Sequence, residues 1–120
     1  MGQVDDDRIS LEIIQEMFEG MKNSDGWRLD GDLLWGYFFI DKSKPKLERL
    51  ARRLEQDGYG FVSIEAESAG FLKAKDHRLH VERVEHHTPE SLYAHNDKLY
   101  AFAAEYGVAS YDGMDVGPVD

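Results

Sequence analysis

The chain has 120 residues, no cysteine, and 24 Asp and Glu against 14 Lys and Arg, for a formal charge of −10. That length fits one domain with its own core, and the lack of cysteine excludes disulfides, thiolate metal sites and a cysteine nucleophile. The charge disfavours nucleic-acid phosphates and anionic membrane surfaces, and it suits either a basic protein partner or plain solubility.

The start, Met1-Gly2-Gln3-Val4-Asp5-Asp6-Asp7, is acidic and polar, unlike a signal peptide. No apolar run approaches the roughly 20 residues that cross a bilayer, so a cytoplasmic protein is expected. A helix is predicted from about Arg8 to Met21. Ile9, Ile13, Met17 and Met21 repeat every four residues, and Ile14 and Phe18 widen the stripe. Asp5 to Asp7 supply negative charge at its N-terminal end, where the helix dipole favours it. Asn23-Ser24-Asp25-Gly26 breaks the pattern and Asp30-Gly31 turns again, leaving Trp27 to Leu29 as a short extended segment.

Leu33 to Ile40 reads as a strand that is aromatic and apolar on both faces, with Trp35, Tyr37 and Phe39 on one side and Leu34, Phe38 and Ile40 on the other. Such a strand belongs in the centre of a sheet. Ser43 caps the next helix, Pro45 sits in its first turn, and Leu47, Leu50, Ala51 and Leu54 form its apolar stripe up to a stop at Gly58. Phe61 to Ala66 is a second strand, with Val62, Ile64 and Ala66 alternating against Ser63 and Glu65. Ser68-Ala69-Gly70 turns the chain. Phe71 to His87 is strand-like, best at Leu79 to Glu85, where Val81 and Val84 fall on opposite faces and predict a bulge near Arg83. Thr88 and Pro89 open a third helix that buries Leu92, Leu99, Phe102, Ala103 and Tyr106 and stops at Gly107. Val108 to Tyr111 is the last strand, closed by a tight turn at Asp112-Gly113.

After the first helix the order is β-α-β-β-α-β. This α+β pattern predicts a ferredoxin-like, four-stranded antiparallel sheet of order 4-1-3-2 with both later helices on one face. Residues 1–30 are assigned to the N-terminal helix and its connecting turn, and 31–120 to the ferredoxin-like domain, together one globular unit. The N-terminal helix is expected at the sheet edge or on the open face.

The chemistry-bearing residues are sparse. His86 and His87 are adjacent and point to opposite faces of a strand; His80 and His86 share a face but stand about 20 Å apart. The strand-end histidines therefore read as solvated, and His95 and Asn96 as hydrogen-bonded core or boundary residues. No His-Glu-x-x-His, Gly-x-Ser-x-Gly or phosphate-loop motif is present. Trp35, Tyr37 and Phe39 could stack bases as in RNA-recognition domains, but the basic groove is missing and they read as core. No catalytic, cofactor or metal residue is assigned. A metal-dependent hydrolase built from the histidines with Asp112 and Asp115 stands as an alternative.

The chain resembles the regulator of ribonuclease E activity B family. The resemblance runs from Trp35-Gly36-Tyr37-Phe38-Phe39 through Asp57-Gly58-Tyr59, Leu79-His80-Val81-Glu82 and Thr88-Pro89-Glu90-Ser91-Leu92 to Tyr111-Asp112-Gly113. It implies a non-catalytic domain that binds the basic scaffold portion of ribonuclease E and restrains RNA decay, without a cofactor. The family's named member has a tryptophan after Tyr-Asp-Gly and a long acidic tail, whereas here Met114 follows the motif and the given sequence ends on Gly117-Pro118-Val119-Asp120. Charge points to Glu65, Glu67, Glu82, Glu85, Asp112 and Asp115 as partner-binding candidates. An immunity-type protein that neutralises another basic protein is the alternative partner reading.

Overall fold

The structure, a computed structural model, describes residues 8–24, 31–67 and 76–119. The Asp5–Asp7 charge, the Trp27–Leu29 segment, the Ser68–Gly70 turn and the first residues of the Phe71–His87 stretch lie outside the described residues. The elements are α1 (Leu11–Ser24), β1 (Leu33–Asp41), α2 (Lys44–Gln56), β2 (Gly60–Glu67), β3 (Asp76–Glu85), α3 (Pro89–Glu105) and β4 (Ser110–Gly117). The strands form one antiparallel sheet of order β2-β3-β1-β4, which is 4-1-3-2 when read from the β4 edge.

Local chemistry explains the helix limits. At α2, Ser43 Oγ accepts the Lys46 N–H at 3.3 Å, with Pro45 in the first turn. At α3, Thr88 and Ser91 exchange side-chain to backbone hydrogen bonds at 3.0 and 2.8 Å, a capping box built with serine at the third position. Gly58 and Gly107 follow the last turns with φ of 97° and 69°. Helix α1 starts three residues later than its periodicity predicts, because Ser10 Oγ accepts the Ile13 N–H at 3.1 Å and so caps it there. Its buried stripe is then Ile14, Phe18 and Met21, while Ile13 is exposed.

The odd-numbered side chains of β1 (Trp35, Tyr37 and Phe39) are fully buried with Leu47, Leu50 and Leu54 of α2 and Leu92 and Leu99 of α3. Phe102 and Tyr106 are only half-buried against this core. Helix α1 lies beside α3, with Phe18 stacked on Trp35 at 6.0 Å between centroids. It therefore packs on the side of the other helices, not over the open face, since its apolar stripe meets Trp35 there.

Two strand expectations are corrected. β3 pairs with β1 without a shift, so there is no bulge at Arg83. Val84 simply faces the open side, half exposed, opposite Leu34. The irregularity lies instead in β2, where Val62 is the extra residue between Phe61 and Ser63. Asp112-Gly113 is not a turn either. It lies within β4, with Asp112 as the extra residue between the Phe38–Gly113 and Phe39–Tyr111 pairs. Gly113 takes φ of 115°, which a side chain would resist.

Candidate functional site

Pairing in strict alternation puts the side chains of Arg83 and Glu85 on the covered face of the sheet, level with Trp35 and Leu33. Two residues on, His87 keeps the same side, and its ring stands edge-on to Trp35 at 5.3 Å. His95, two turns into α3, and Tyr59, after α2, close the cluster around Tyr37.

Glu85 is its centre, with its side chain 11% exposed. Arg83 donates from Nε and Nη2 to Oε1 at 3.0 and 2.7 Å, and the Tyr37 hydroxyl donates to Oε2 at 2.5 Å. The nearest ring nitrogens to Oε2 are His87 Nε2 at 3.4 Å and His95 Nε2 at 3.9 Å. Burial alone would raise the Glu85 pKa, but His87 beside Oε2 and the hydrogen bonds from Tyr37 and Arg83 outweigh it and bring it down to about 2. Burial pushes His95 down to about 4, against the pull of Glu85. Burial, reinforced by the Glu85 charge, raises the Tyr37 phenol. Carboxylate and His95 imidazole are therefore both deprotonated at neutral pH.

Arg83 also stacks over the Tyr59 ring at 4.0 Å and donates to the Asp57 carbonyl at 2.9 Å. A cleft of about 290 Å³, lined by Asp57, Tyr59, Arg83, His95, Lys98 and Phe102, leads from solvent to this cluster.

The opposite face of the sheet carries a different set. Glu65 from β2, Glu82 from β3, and Asp112 and Asp115 from β4 gather there, with Leu34, Phe38, Ile40 and Val84 between them. Arg78 lies over the Phe38 ring at 4.2 Å and within 3.7 Å of Asp112, and His80 stacks on Phe38 at 4.4 Å. Gly36 leaves the room for this layer: a Cβ there would meet Asp115 Oδ1 at 2.5 Å and His80 Nε2 at 2.8 Å.

Of the six candidate carboxylates, four thus share the open face. Glu67 pairs with Asp76 at the end of β2, and its side chain is outside the described residues. Glu85 lies across the sheet from the four, inside the cluster. The histidines also divide. His86 is exposed as expected, but His87 is buried at 8%, a correction that follows from its place under Trp35 and beside α3. His95 meets the Tyr59 hydroxyl at 2.8 Å, and buried Asn96 accepts from the Tyr111 hydroxyl at 2.7 Å, both hydrogen-bonded boundary or core groups as expected. Asp112 and Asp115 are across the sheet from His87 and His95, and His80 is the histidine that shares the open face with them.

The buried cluster was missed, although one signal for it is in the sequence. Glu85-x-His87 at the end of a strand puts both side chains on one face.

These features define a small α+β domain whose antiparallel sheet has one face under three helices and one face bearing carboxylates. Among the described residues no helix is long and apolar enough to cross a membrane. The family model described as regulator of ribonuclease activity B matches residues 11–116, nearly the whole chain, and the chain belongs to that family. No curated protein matches it.

Proposed function

We propose that the protein is a non-catalytic regulator that binds a basic protein segment, the Arg-rich scaffold portion of ribonuclease E being the candidate, and so modulates RNA decay in the cytoplasm. The observation that carries this reading is the gathering of Glu65, Glu82, Asp112 and Asp115 from three strands onto one sheet face, around exposed Val84 and half-buried Phe38. Glu67 is kept as a candidate on its charge alone. Glu85 does not, because its carboxylate is engaged on the covered side. Carboxylates on a chain of charge −10 steer a cationic segment into encounter, and the apolar strips between them offer contact area once it arrives. Strand order and the connection of each helix support a ferredoxin-like arrangement, with α1 added beside α3 as part of the same unit.

The test is a titration against the Arg-rich scaffold segment, with a generic basic protein as control, across a salt series. Saturable binding to the scaffold that weakens as salt rises is expected, with salt slowing association more than it speeds dissociation. Glu82→Lys combined with Asp115→Lys is expected to abolish it. Absence of binding at low salt excludes the ribonuclease partner. Equal binding to both ligands reduces the effect to charge attraction and favours a different basic partner.

A further inference from the structure

We propose that Glu85, His87 and His95 form a binding site for one divalent transition-metal ion of zinc's class. Their three ligand atoms lie within 4.8 Å of one another. A tetrahedral zinc with bonds of about 2.0–2.1 Å sets its ligands roughly 3.3–3.4 Å apart. The Glu85 Oε2 to His87 Nε2 distance is already 3.4 Å and that to His95 Nε2 is 3.9 Å, so closing the set requires mainly that the two rings, within 4.8 Å, draw together. Two imidazoles and one carboxylate suit a borderline metal, not calcium or magnesium, which take oxygen.

The surroundings orient these groups as outer-shell partners orient metal ligands. Arg83 occupies Oε1 of Glu85 and leaves Oε2 facing the rings. His87 Nδ1 lies 2.9 Å from Ser91 Oγ, a hydroxyl fixed in turn by the α3 capping box. In the tautomer in which that hydroxyl donates to the Thr88 carbonyl, His87 Nδ1–H donates to Ser91 and the Nε2 lone pair points toward a carboxylate oxygen. A cation between them relieves that contact. The Tyr37 hydroxyl, 3.4 Å from His87 Nε2, has its proton committed to Glu85 and supplies none to the ring. At His95 the metal takes the place of the Tyr59 hydroxyl on Nε2. The cleft past Tyr59, Arg83 and Lys98 gives the ion and a fourth, water ligand their way in. The Arg83 charge offsets part of the carboxylate's attraction, which argues for moderate affinity.

The experiment is titration of the chelator-treated full chain with Co²⁺, read by visible absorption, followed by Zn²⁺ displacement and a thermal melt with and without Zn²⁺. The expected result is one Co²⁺ per chain with the absorption of four-coordinate cobalt, displaced by one equivalent of Zn²⁺, and a raised Tm. His87→Gln and His95→Gln are each expected to weaken binding by more than the roughly 10–100-fold that an outer-shell change costs. His86→Gln, at an exposed neighbour, is expected to leave it unchanged. No cobalt absorption in the wild-type chain overturns the proposal, as does a signal that survives both ligand substitutions or disappears equally in His86→Gln. If His87→Gln fails to fold by circular dichroism, the wild-type titration and the less buried His95→Gln still decide the matter. The readout does not involve ribonuclease binding, so the two proposals stand or fall separately.

Discussion

Asp41, the last residue of β1, ties three elements together through one carboxylate. It is buried, its Oδ1 accepts the Ser43 N–H at 2.6 Å ahead of α2, and its Oδ2 accepts the Ala109 N–H at 2.7 Å ahead of β4. Replacing it by alanine strands two backbone donors, each costing about 1–3 kcal/mol when no partner replaces the lost one. Asp41→Ala is therefore expected to lose at least about 1 kcal/mol in urea unfolding, and Asp41→Asn, which keeps one acceptor, to fall between it and the wild type. A loss under about 0.5 kcal/mol would show that water satisfies both donors. Nothing in the sequence marks Asp41 out, since an aspartate after a strand reads as a turn residue and Ala109 is 68 positions away. The same limit applies to the buried cluster. Glu85 and His87 announce a shared face, but His95 reaches them only through the packing of α3, and no local spacing encodes that.

At the scale of elements, what depends on neighbouring residues was legible and what depends on pairing was not. The α2 stripe, the Ser43 and Thr88 caps and the apolar centre of β1 are local patterns, and the structure has them where expected. The bulges at Val62 and Asp112 exist only relative to a partner strand, so alternation within β3 pointed to the wrong place. Likewise the apolar period of α1 extends beyond the helix, and the Ser10 cap decides where coil ends. The stripes themselves are testable. Leu50 and Leu99 are fully buried, one in α2 and one in α3. Leu50→Ala or Leu99→Ala is expected to cost about 2–5 kcal/mol, as truncation in a tight core does. Ile13→Ala, at an apolar residue on the exposed side of α1, is expected to stay within about 0.5 kcal/mol of the wild type. Equal effects at Leu50 and Ile13 in denaturant unfolding would mean the stripes are misassigned.

For the molecule as a whole, the element order was legible because the described connections between elements are short, but the side on which α1 docks was not. The covered face buries Tyr37, Tyr59 and Tyr111 together under the helices. Burial raises all three phenols above their ordinary value near 10, with the Glu85 charge adding to it and Arg83 opposing it at Tyr59. Tyr37 also faces His87 and His95, Tyr59 faces His95, and Tyr111 packs against Tyr100 and Phe39. The folded pKa being the higher one, the contribution of these groups is fully present below about pH 10. It is lost above that, where the unfolded chain releases protons that the folded chain keeps. Urea midpoints are expected to be flat from pH 8 to about 9.5 and to fall beyond it, with part of the tyrosinate absorbance appearing only on unfolding. Full tyrosinate absorbance in the folded protein at pH 11 would contradict this. The bulges have a consequence at this scale as well. The two inner strands, β1 and β3, pair without a shift, while each outer strand, β2 and β4, carries one residue too many. A border kinked in this way, and set with Asp112 on one side and Glu65 on the other, presents no straight row of amides and carbonyls for a foreign strand to extend. Such edges disfavour the addition of a further strand, which counters the fibre-forming tendency of exposed Phe61 and Val62 on the rim.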